Sequence, residues 1–221
     1  MIWQKLSLKN KGILFSLHLR ATLDNLMEAS LDKLGVVSGR FQVFHNDHLE
    51  YLLAGLSLCE NLIVAITNPD PSMTGIDPCD PNRHLIESNP LSYFERYTSI
   101  KAVLLEHGVP YNRCSIVPFP INIPELYESY VPLEAIFYLT IYDSWGRRKM
   151  ELLQKHGFKT HVIWEKSPNE KKISGSDVRC LIASGKHWEH LVPKSVAKLI
   201  KEWNLGGRLQ NRHIEINQSS H

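Results

Sequence analysis

From residue 34 onwards, short runs of apolar residues alternate with longer segments in which apolar residues recur every three or four positions. Continuously apolar runs are typical of strands buried on both faces of a parallel sheet, and the longer spacing is typical of amphipathic helices. The predicted strands are Leu34–Ser38, Leu62–Thr67, Ser115–Pro118, Ala135–Ile141 and Thr160–Trp164. The predicted helices are Leu49–Cys59, Ser92–His107, Ser144–His156, Ser176–Ser184 and Lys194–Trp203. This alternation predicts an α/β chain with a doubly wound, parallel five-stranded sheet and C-terminal helices.

The alternating pattern covers most of the chain and leaves its two ends outside. We assign residues 1–33 to an N-terminal extension, 34–205 to one Rossmann-like domain and 206–221 to a polar, flexible tail. Within the domain, Ser92 and Glu95 are spaced as a capping box at a helix start. Open parallel sheets bind ligands beyond the carboxyl ends of their strands, so we expect the functional site in the loops that follow the strands.

Composition and charge indicate the cellular setting of the protein more clearly than they indicate its activity. Lys and Arg total 25 against 23 for Asp and Glu, and this near-neutral balance gives no argument for a nucleic-acid partner or a membrane surface. Four cysteines without a C-x-x-C pair are typical of a reduced, cytoplasmic protein. No apolar run reaches the roughly 18 residues that a membrane span needs. The sequence leaves open whether the chain forms a homo-oligomer.

The most informative stretch lies between the first predicted strand and the first predicted helix. There, Gly39-Arg40-Phe41 is followed by His45 and His48, which are spaced i and i+3 at a helix start. A glycine turn brings backbone N–H groups close to an anion, and a helix N-terminus adds about half a positive charge. Arginine and histidine side chains supply further donors to phosphate oxygens. This stretch therefore predicts a phosphate-binding site.

A second stretch of the same kind, Ile173–Arg179, opens a helix far downstream. Two helix starts that face phosphate in one small α/β chain indicate nucleotidyl transfer, in which an acceptor oxygen attacks the α-phosphorus of a nucleoside triphosphate.

His187 and His190 repeat the H-x-x-H spacing, but no cysteine is placed to complete a tetrahedral zinc site. The sequence therefore predicts no metal centre held by the protein itself.

Three motifs in matching order resemble those of the nucleotidyltransferase superfamily marked by (H/T)-x-G-H and I-S-G-T-x-V-R signatures. Residues 39–48 resemble the opening G-R-F-Q-P-x-H-x-G-H of archaeal-type nicotinamide-nucleotide adenylyltransferases. Residues 89–96 resemble their N-P-(F/W)-T-x-x-E-R, and residues 173–179 resemble their I-S-G-T-x-V-R. Within the superfamily the chain is most similar to these enzymes, over residues 34–203.

This resemblance implies transfer of AMP from ATP to nicotinamide or nicotinate mononucleotide, with release of pyrophosphate and formation of NAD. The partners would be ATP or another nucleoside triphosphate and a phosphorylated small-molecule acceptor, and Mg²⁺ would enter with the triphosphate. The implied catalytic residues are Arg40, His45, His48 and Arg179. The implied nucleotide-binding residues are Ser38, Gly39, Arg40, Phe41, His45, His48, Ser174, Gly175, Ser176 and Arg179. The implied acceptor-binding residues are Asn89, Pro90, Tyr127 and Tyr142.

Several positions depart from the pattern of these enzymes. Asp47 stands where the signature has glycine, Ser88 where relatives carry arginine, and Tyr142-Asp143 where they carry Gly-Asn. A carboxylate at position 47 would repel phosphate unless it turned away or were bridged by Mg²⁺. The departures keep two alternatives open. One is a cytidylyl- or adenylyltransferase for another phosphate or phosphonate acceptor, and the other is a nucleotide-binding protein without turnover.

Overall fold

A computed structural model describes residues 31–74, 84–167, 170 and 172–211 of the chain. All of the described residues except 31 and 32 belong to one compact unit, Lys33–His221. The strands in the described part are β1 (Asp32–Gly39), β2 (Cys59–Thr67), β3 (Cys114–Phe119), β4 (Ile136–Ile141) and β5 (Lys159–Glu165). Every predicted strand is therefore present, with small differences in where it begins and ends.

The strands form one sheet in the order β3-β2-β1-β4-β5. β1 pairs in parallel with β4, where Val36 lies opposite Phe137, and the pairs β2–β3 and β4–β5 are also parallel. The chain winds outwards from β1 through β2 and β3, and then returns past β1 to continue with β4 and β5. This order confirms the doubly wound, Rossmann-like sheet and places a reversal of winding beside the carboxyl end of β1.

Helices cover both faces of this sheet. They are α1 (Asn46–Leu58), α2 (Tyr93–Glu106), α3 (Ser144–Lys155), α4 (Gly175–Ala183) and α5 (Lys194–Glu202). Neighbouring residues of one strand point to opposite faces. Accordingly, Val37 belongs to an apolar core shared with α1, α2, α4 and α5, while Val36 belongs to a second core that includes Leu153 of α3. Helix α3 and helix α4 therefore pack on opposite faces of the sheet.

The folded domain extends further along the chain than the sequence predicts. Residues 205–211 are helical, and Leu209 is buried in the same core as α4 and α5. Arg208 forms an ion pair with Glu95 of α2 and donates to the carbonyl oxygen of Pro90 at 2.6 Å. The prediction of a flexible tail from residue 206 is wrong for these first residues, because a polar stretch still presents one buried leucine and one anchored arginine to its neighbours.

Other sequence-based boundaries fall outside the described residues. Residues 1–30 of the predicted extension and residues 212–221 of the predicted tail are outside the described part of the chain. Residues 75–83, between β2 and α2, are also outside the described part of the chain. Within the part of the chain that the structure describes, no helix combines the length and the apolar composition that a membrane span requires.

Candidate active site

A cleft of about 310 Å³ opens at the carboxyl edge of the sheet, where residues of β1 and β4 contribute to its lining. Three segments line most of it: the turn between β1 and α1, the start of α4, and the connection from β4 into α3. This is the position at which the reversal of winding predicts a ligand. All the residues implied to bind nucleotide line the cleft, namely Ser38, Gly39, Arg40, Phe41, His45, His48, Ser174, Gly175, Ser176 and Arg179.

The turn after β1 has a constrained backbone. Phe41 has a φ of 53°, a left-handed conformation that is uncommon for an aromatic residue. Its ring is buried and stacks on Phe44, with 5.5 Å between the ring centroids. Residues held in such conformations cluster at functional sites, where surrounding contacts over-determine them. Here the two rings fix the turn that leads to His45, the N-cap of α1.

His45 and His48 form a stacked pair at the start of α1. Their ring centroids lie 3.7 Å apart, and the backbone N–H of His45 donates to Nδ1 of His48 at 3.4 Å. Because Nδ1 accepts this hydrogen bond, the proton of the neutral His48 ring resides on Nε2. Phe41 contacts the same ring edge-on, with 5.0 Å between centroids, and limits its rotation. His48 therefore lines the cleft as an oriented hydrogen-bond donor.

The start of α4 is capped and held against this turn. Oγ of Ser174 accepts from the N–H of Asp177 at 3.1 Å, and Oδ2 of Asp177 accepts from the N–H of Ser174 at 2.9 Å, which completes a capping box. Arg179 is buried. Its guanidinium donates to the carbonyl oxygen of Gln42 and, at 3.0 Å, to Oγ of Ser176. The arginine of the second motif therefore holds the turn of the first.

Gly175 permits the close approach of α4 to the turn. A Cβ atom at position 175 would lie 2.5 Å from the carbonyl oxygen of Gln42, which is closer than real Cβ atoms approach other atoms. The obstructing atom belongs to the backbone, so it cannot rotate away as a side chain would. Any side chain at this position would therefore push the two motifs apart.

Replacing Gly175 by alanine is expected to lower kcat/KM at least about tenfold, since misplacing aligned groups by about 1 Å can cost up to a hundredfold in rate. The free energy of unfolding should fall by about 1–3 kcal/mol, the usual cost of overpacking. Steady-state kinetics and urea unfolding measure these effects. Gly206→Ala is a matched control, because a Cβ at position 206 meets its nearest atom at 3.7 Å. Unchanged kinetics in Gly175→Ala would show that the motifs function at a wider separation.

Asp47, which replaces the glycine of the signature, faces the second motif. Its Oδ2 accepts from the backbone N–H of Ile173 at 3.1 Å. The neighbouring Asn46 donates to the carbonyl oxygen of His190 at 3.0 Å, so the first turn of α1 is bound to the segments before and after α4. Asp47 also lines the cleft. The structure thus gives this carboxylate a role in joining the first and second motifs.

The stretch of residues 89–96 supports the turn from outside the cleft. The side chain of Gln42 donates to the carbonyl oxygen of Leu91 at 2.8 Å and accepts from its N–H at 2.9 Å. Arg96 is only 3% exposed. Its guanidinium donates to the carbonyl oxygens of Arg40 at 3.1 Å, Thr67 at 2.8 Å and Asn68 at 2.8 Å. Burial lowers the pKa of Arg96 to about 10, which leaves its side chain charged at neutral pH.

The structure separates the residues that were implied to bind the acceptor. Tyr142 lines the cleft, and its hydroxyl accepts a hydrogen bond from Nε1 of Trp164 at 2.8 Å. Burial raises the pKa of the Tyr142 hydroxyl. Asn89 and Pro90 lie outside the cleft lining. The carbonyl oxygen of Pro90 accepts from Arg208, so this dipeptide anchors the C-terminal helix.

Tyr127 is a core residue. Its ring is 1% exposed and stacks on Phe119, with 4.7 Å between centroids. Its hydroxyl donates to the carbonyl oxygen of Ile121 at 2.6 Å. The expectation that Tyr127 contacts the acceptor is therefore wrong, because the ring packs in the core beneath α3 and does not line the cleft.

Sequence reasoning missed most of the wall formed by β4 and α3. Trp145 and Lys149, which are four residues apart on α3, line the cleft, and so does Trp164 of β5. Nζ of Lys149 donates to the carbonyl oxygen of Ser38 at 3.2 Å. The i, i+4 spacing on α3 is a signal that these side chains share a helix face. The lysine, however, follows two arginines in a run that is typical of a solvated face.

Comparison with known protein sequences identifies the family. Residues 36–181 match the cytidylyltransferase-like family. A phosphonoformate cytidylyltransferase from Streptomyces viridochromogenes is 46% identical over 176 residues, which cover 80% of this chain and 95% of that protein. A nicotinamide-nucleotide adenylyltransferase from Thermococcus sibiricus is 30% identical over 170 residues, which cover 76% of this chain and 83% of that protein.

Comparison with solved structures gives the same fold. A bifunctional NMN adenylyltransferase/ADP ribose pyrophosphatase from Francisella tularensis matches with a TM-score of 0.60 at 14% identity, over 86% of this chain. This chain spans 56% of the length of that bifunctional protein. The family match covers more than half of the chain, and the superfamily expected from the motifs is confirmed. The chain therefore belongs to the cytidylyltransferase-like family of nucleotidyltransferases.

Proposed function

We propose that this protein transfers a cytidylyl group from CTP to a small acid bearing a phosphonate or phosphate group, and that phosphonoformate is the acceptor. The observation that carries the proposal is the 46% identity to the Streptomyces phosphonoformate cytidylyltransferase, spread over 95% of that protein. The identity to the T. sibiricus nicotinamide-nucleotide adenylyltransferase is lower, at 30%. The closer relationship, extending over a whole domain, favours the same pair of substrates.

The acceptor side of the cleft also favours a small acid. Asn89, Pro90 and Tyr127, which the resemblance to adenylyltransferases implied as contacts of a mononucleotide, lie outside the lining. The cleft therefore lacks three of the four contacts that the resemblance implied for a mononucleotide, which favours a smaller acceptor.

In the proposed reaction, an oxygen of the phosphonate attacks the α-phosphorus of CTP. The new P–O bond forms as the bond from the α-phosphorus to the bridging oxygen breaks, and pyrophosphate leaves with that oxygen and its electron pair. The attacking oxygen is already an anion, so the reaction needs no strong general base. Catalysis therefore consists of aligning the reactants and stabilising charge on the α-phosphate and the leaving group.

The residues around the cleft supply both requirements. His48 donates from Nε2 to the α-phosphate, because its other ring nitrogen is occupied by the N–H of His45. Arg40 adds positive charge on the same wall. Ser176 and Arg179, together with the backbone N–H groups at the start of α4, bind the leaving pyrophosphate. In this proposal, the turn after β1 contacts the reacting phosphorus and the start of α4 binds the leaving group.

Magnesium would accompany the triphosphate. Among the residues that the structure describes, no group of three or more His, Cys, Asp or Glu side chains could hold a metal ion. The cleft carboxylates of Asp47 and Asp143 each accept a hydrogen bond from a backbone N–H, of Ile173 and Gly146 respectively. Mg²⁺ usually binds substrate phosphates and water with one or two protein carboxylates, and this donor set fits that mode. Bound in this way, the ion would neutralise charge on the pyrophosphate.

A second candidate is adenylyl transfer to nicotinamide or nicotinate mononucleotide to form NAD. The order of the three motifs favours it, and so does the likeness to the archaeal adenylyltransferases. It shares the triphosphate half of the site with the first candidate and differs in the base and the acceptor. A nucleotide-binding protein without turnover is disfavoured, because Arg40, His45, His48 and Arg179 are retained around one cleft.

Pyrophosphate release over a grid of substrates separates these functions. CTP and ATP are each paired with phosphonoformate, nicotinamide mononucleotide and nicotinate mononucleotide. We expect kcat/KM for CTP with phosphonoformate to exceed that of every other pair at least about tenfold, because a site built to hydrogen-bond one substrate rejects another that leaves its polar groups unpaired. A maximum at ATP with a mononucleotide would replace the proposal by NAD synthesis. Nucleotide binding without pyrophosphate release from any pair would remove both transferase candidates.

A further inference from the structure

We infer that Lys149 is a specificity-determining residue of this site, and that its ammonium group binds a carboxylate carried by the acceptor next to the attacking phosphonate. The inference rests on the proposed function, because it concerns the acceptor of that reaction. It narrows the substrate class to phosphonates or phosphates with a second anionic group close to the first.

The location of the acceptor follows from the geometry of in-line displacement. The attacking and leaving oxygens lie on opposite sides of the reacting phosphorus. In the proposed reaction, pyrophosphate leaves at the start of α4, where Ser176 and Arg179 line the cleft. Helix α3 packs on the other face of the sheet from α4, and its first turns also line the cleft. The wall formed by β4 and α3 is therefore the one from which an acceptor approaches in line.

Lys149 brings positive charge to that wall. Among the described lining residues contributed by β4, α3 and their connection, it is the sole cationic side chain. Its Nζ lies 3.2 Å from the carbonyl oxygen of Ser38, so the ammonium sits at the end of β1, next to the Gly39-Arg40 turn. This places it between the phosphate-binding turn and the acceptor wall.

An ammonium at this point can recognise a second anion while the turn binds the first. It is a compact charge with three rotatable donors, so it can retain the bond to Ser38 and still donate to a ligand. Lys149 is half-buried, and a charge-assisted hydrogen bond is stronger there than in open water. In phosphonoformate the carboxylate is bonded directly to the phosphonate phosphorus, so the two anionic groups span adjacent subsites. A phosphonate without the carboxylate has no second anionic group beside the one that the turn binds.

Calorimetric binding of phosphonoformate and of methylphosphonate, in the presence of a CTP analogue that cannot react, tests the inference. The wild-type protein is expected to bind phosphonoformate at least about tenfold more tightly than methylphosphonate. Lys149→Met is expected to abolish this preference by weakening phosphonoformate alone, and Lys149→Arg, which keeps the charge, to retain part of it. Lys155→Met, on the exposed last turn of α3, is the matched control and should keep the full preference.

Two results overturn the inference: a wild-type protein without the preference, or a Lys149→Met variant that keeps it. If Lys149 only supported the carbonyl of Ser38, the variant would melt at a lower temperature with its preference unchanged. Pyrophosphate release from CTP in the same preparations tests the proposed function separately. A preference that depends on Lys149 without any pyrophosphate release overturns the reaction and leaves the inference standing. Turnover of phosphonoformate, together with an unchanged preference in Lys149→Met, overturns the inference and leaves the reaction standing.

Discussion

Replacing His48 by alanine is expected to lower kcat about a hundredfold or more while the protein remains folded. The physical reason is the loss of one oriented donor at the position where charge develops, which typically costs about 3 kcal/mol of transition-state stabilisation. His48 is oriented by the N–H of His45 and by the ring of Phe41, so no reorganisation is needed during the reaction. Pyrophosphate release at saturating substrates measures kcat, and thermal unfolding checks the fold.

Two further variants separate the donor from the bulk of the ring. His48→Gln keeps an N–H donor on a side chain of similar reach and should recover part of the activity lost in the alanine variant. His161→Ala removes an exposed histidine of β5 that does not line the cleft, and it should leave kcat unchanged. A near-wild-type kcat in His48→Ala would contradict the assignment of this side chain to the α-phosphate.

The architecture could be predicted because burial on both sides of the sheet leaves a clear pattern. Residues 62–67 of β2 are all buried, so the strand shows no polar alternation that could be mistaken for a surface strand. The start of α1 was less predictable from the apolar pattern, which places it at Leu49, whereas the helix begins at Asn46. Its first turn is polar, and it is fixed by bonds from Asn46 to His190 and from Ile173 to Asp47. Such distant partners leave no local signal.

The candidate site divides in the same way between local and distant determinants. The place of the turn after β1 in the cleft was predictable because its glycine, arginine and histidines lie within ten consecutive residues. Lys149 donates a hydrogen bond to Ser38, 111 residues away, and so lines the cleft. The residues next to Lys149 in the sequence give no indication of this contact. Tyr127 is buried because Phe119 and Phe158 come from other parts of the chain to pack on its ring. An isolated aromatic residue has the same appearance in a sequence whether it binds a ligand or fills a core.

Replacing Arg96 by methionine is expected to lower the free energy of unfolding by about 3 kcal/mol. The buried guanidinium donates to the carbonyl oxygens of Thr67 and Asn68 at the end of β2 and to that of Arg40 in the turn after β1. Methionine fills a similar volume but has no donor, and a buried carbonyl left without a partner costs about 1–3 kcal/mol. Urea unfolding measures the change. Lys101→Met removes an exposed cation from the same helix and should change stability little.

Arg96→Met should also lower kcat/KM in conditions where the variant is folded. Arg96 does not line the cleft, so its loss can reach the reaction only through the backbone that it holds, at Arg40 and at the end of β2. Arg96→Lys should give intermediate stability, because a single ammonium cannot reproduce the forked geometry that serves several carbonyls at once. Wild-type stability in Arg96→Met would show that water satisfies these carbonyls equally well. Loss of stability and activity together would support a role of residues 89–96 in holding the turn after β1 in place.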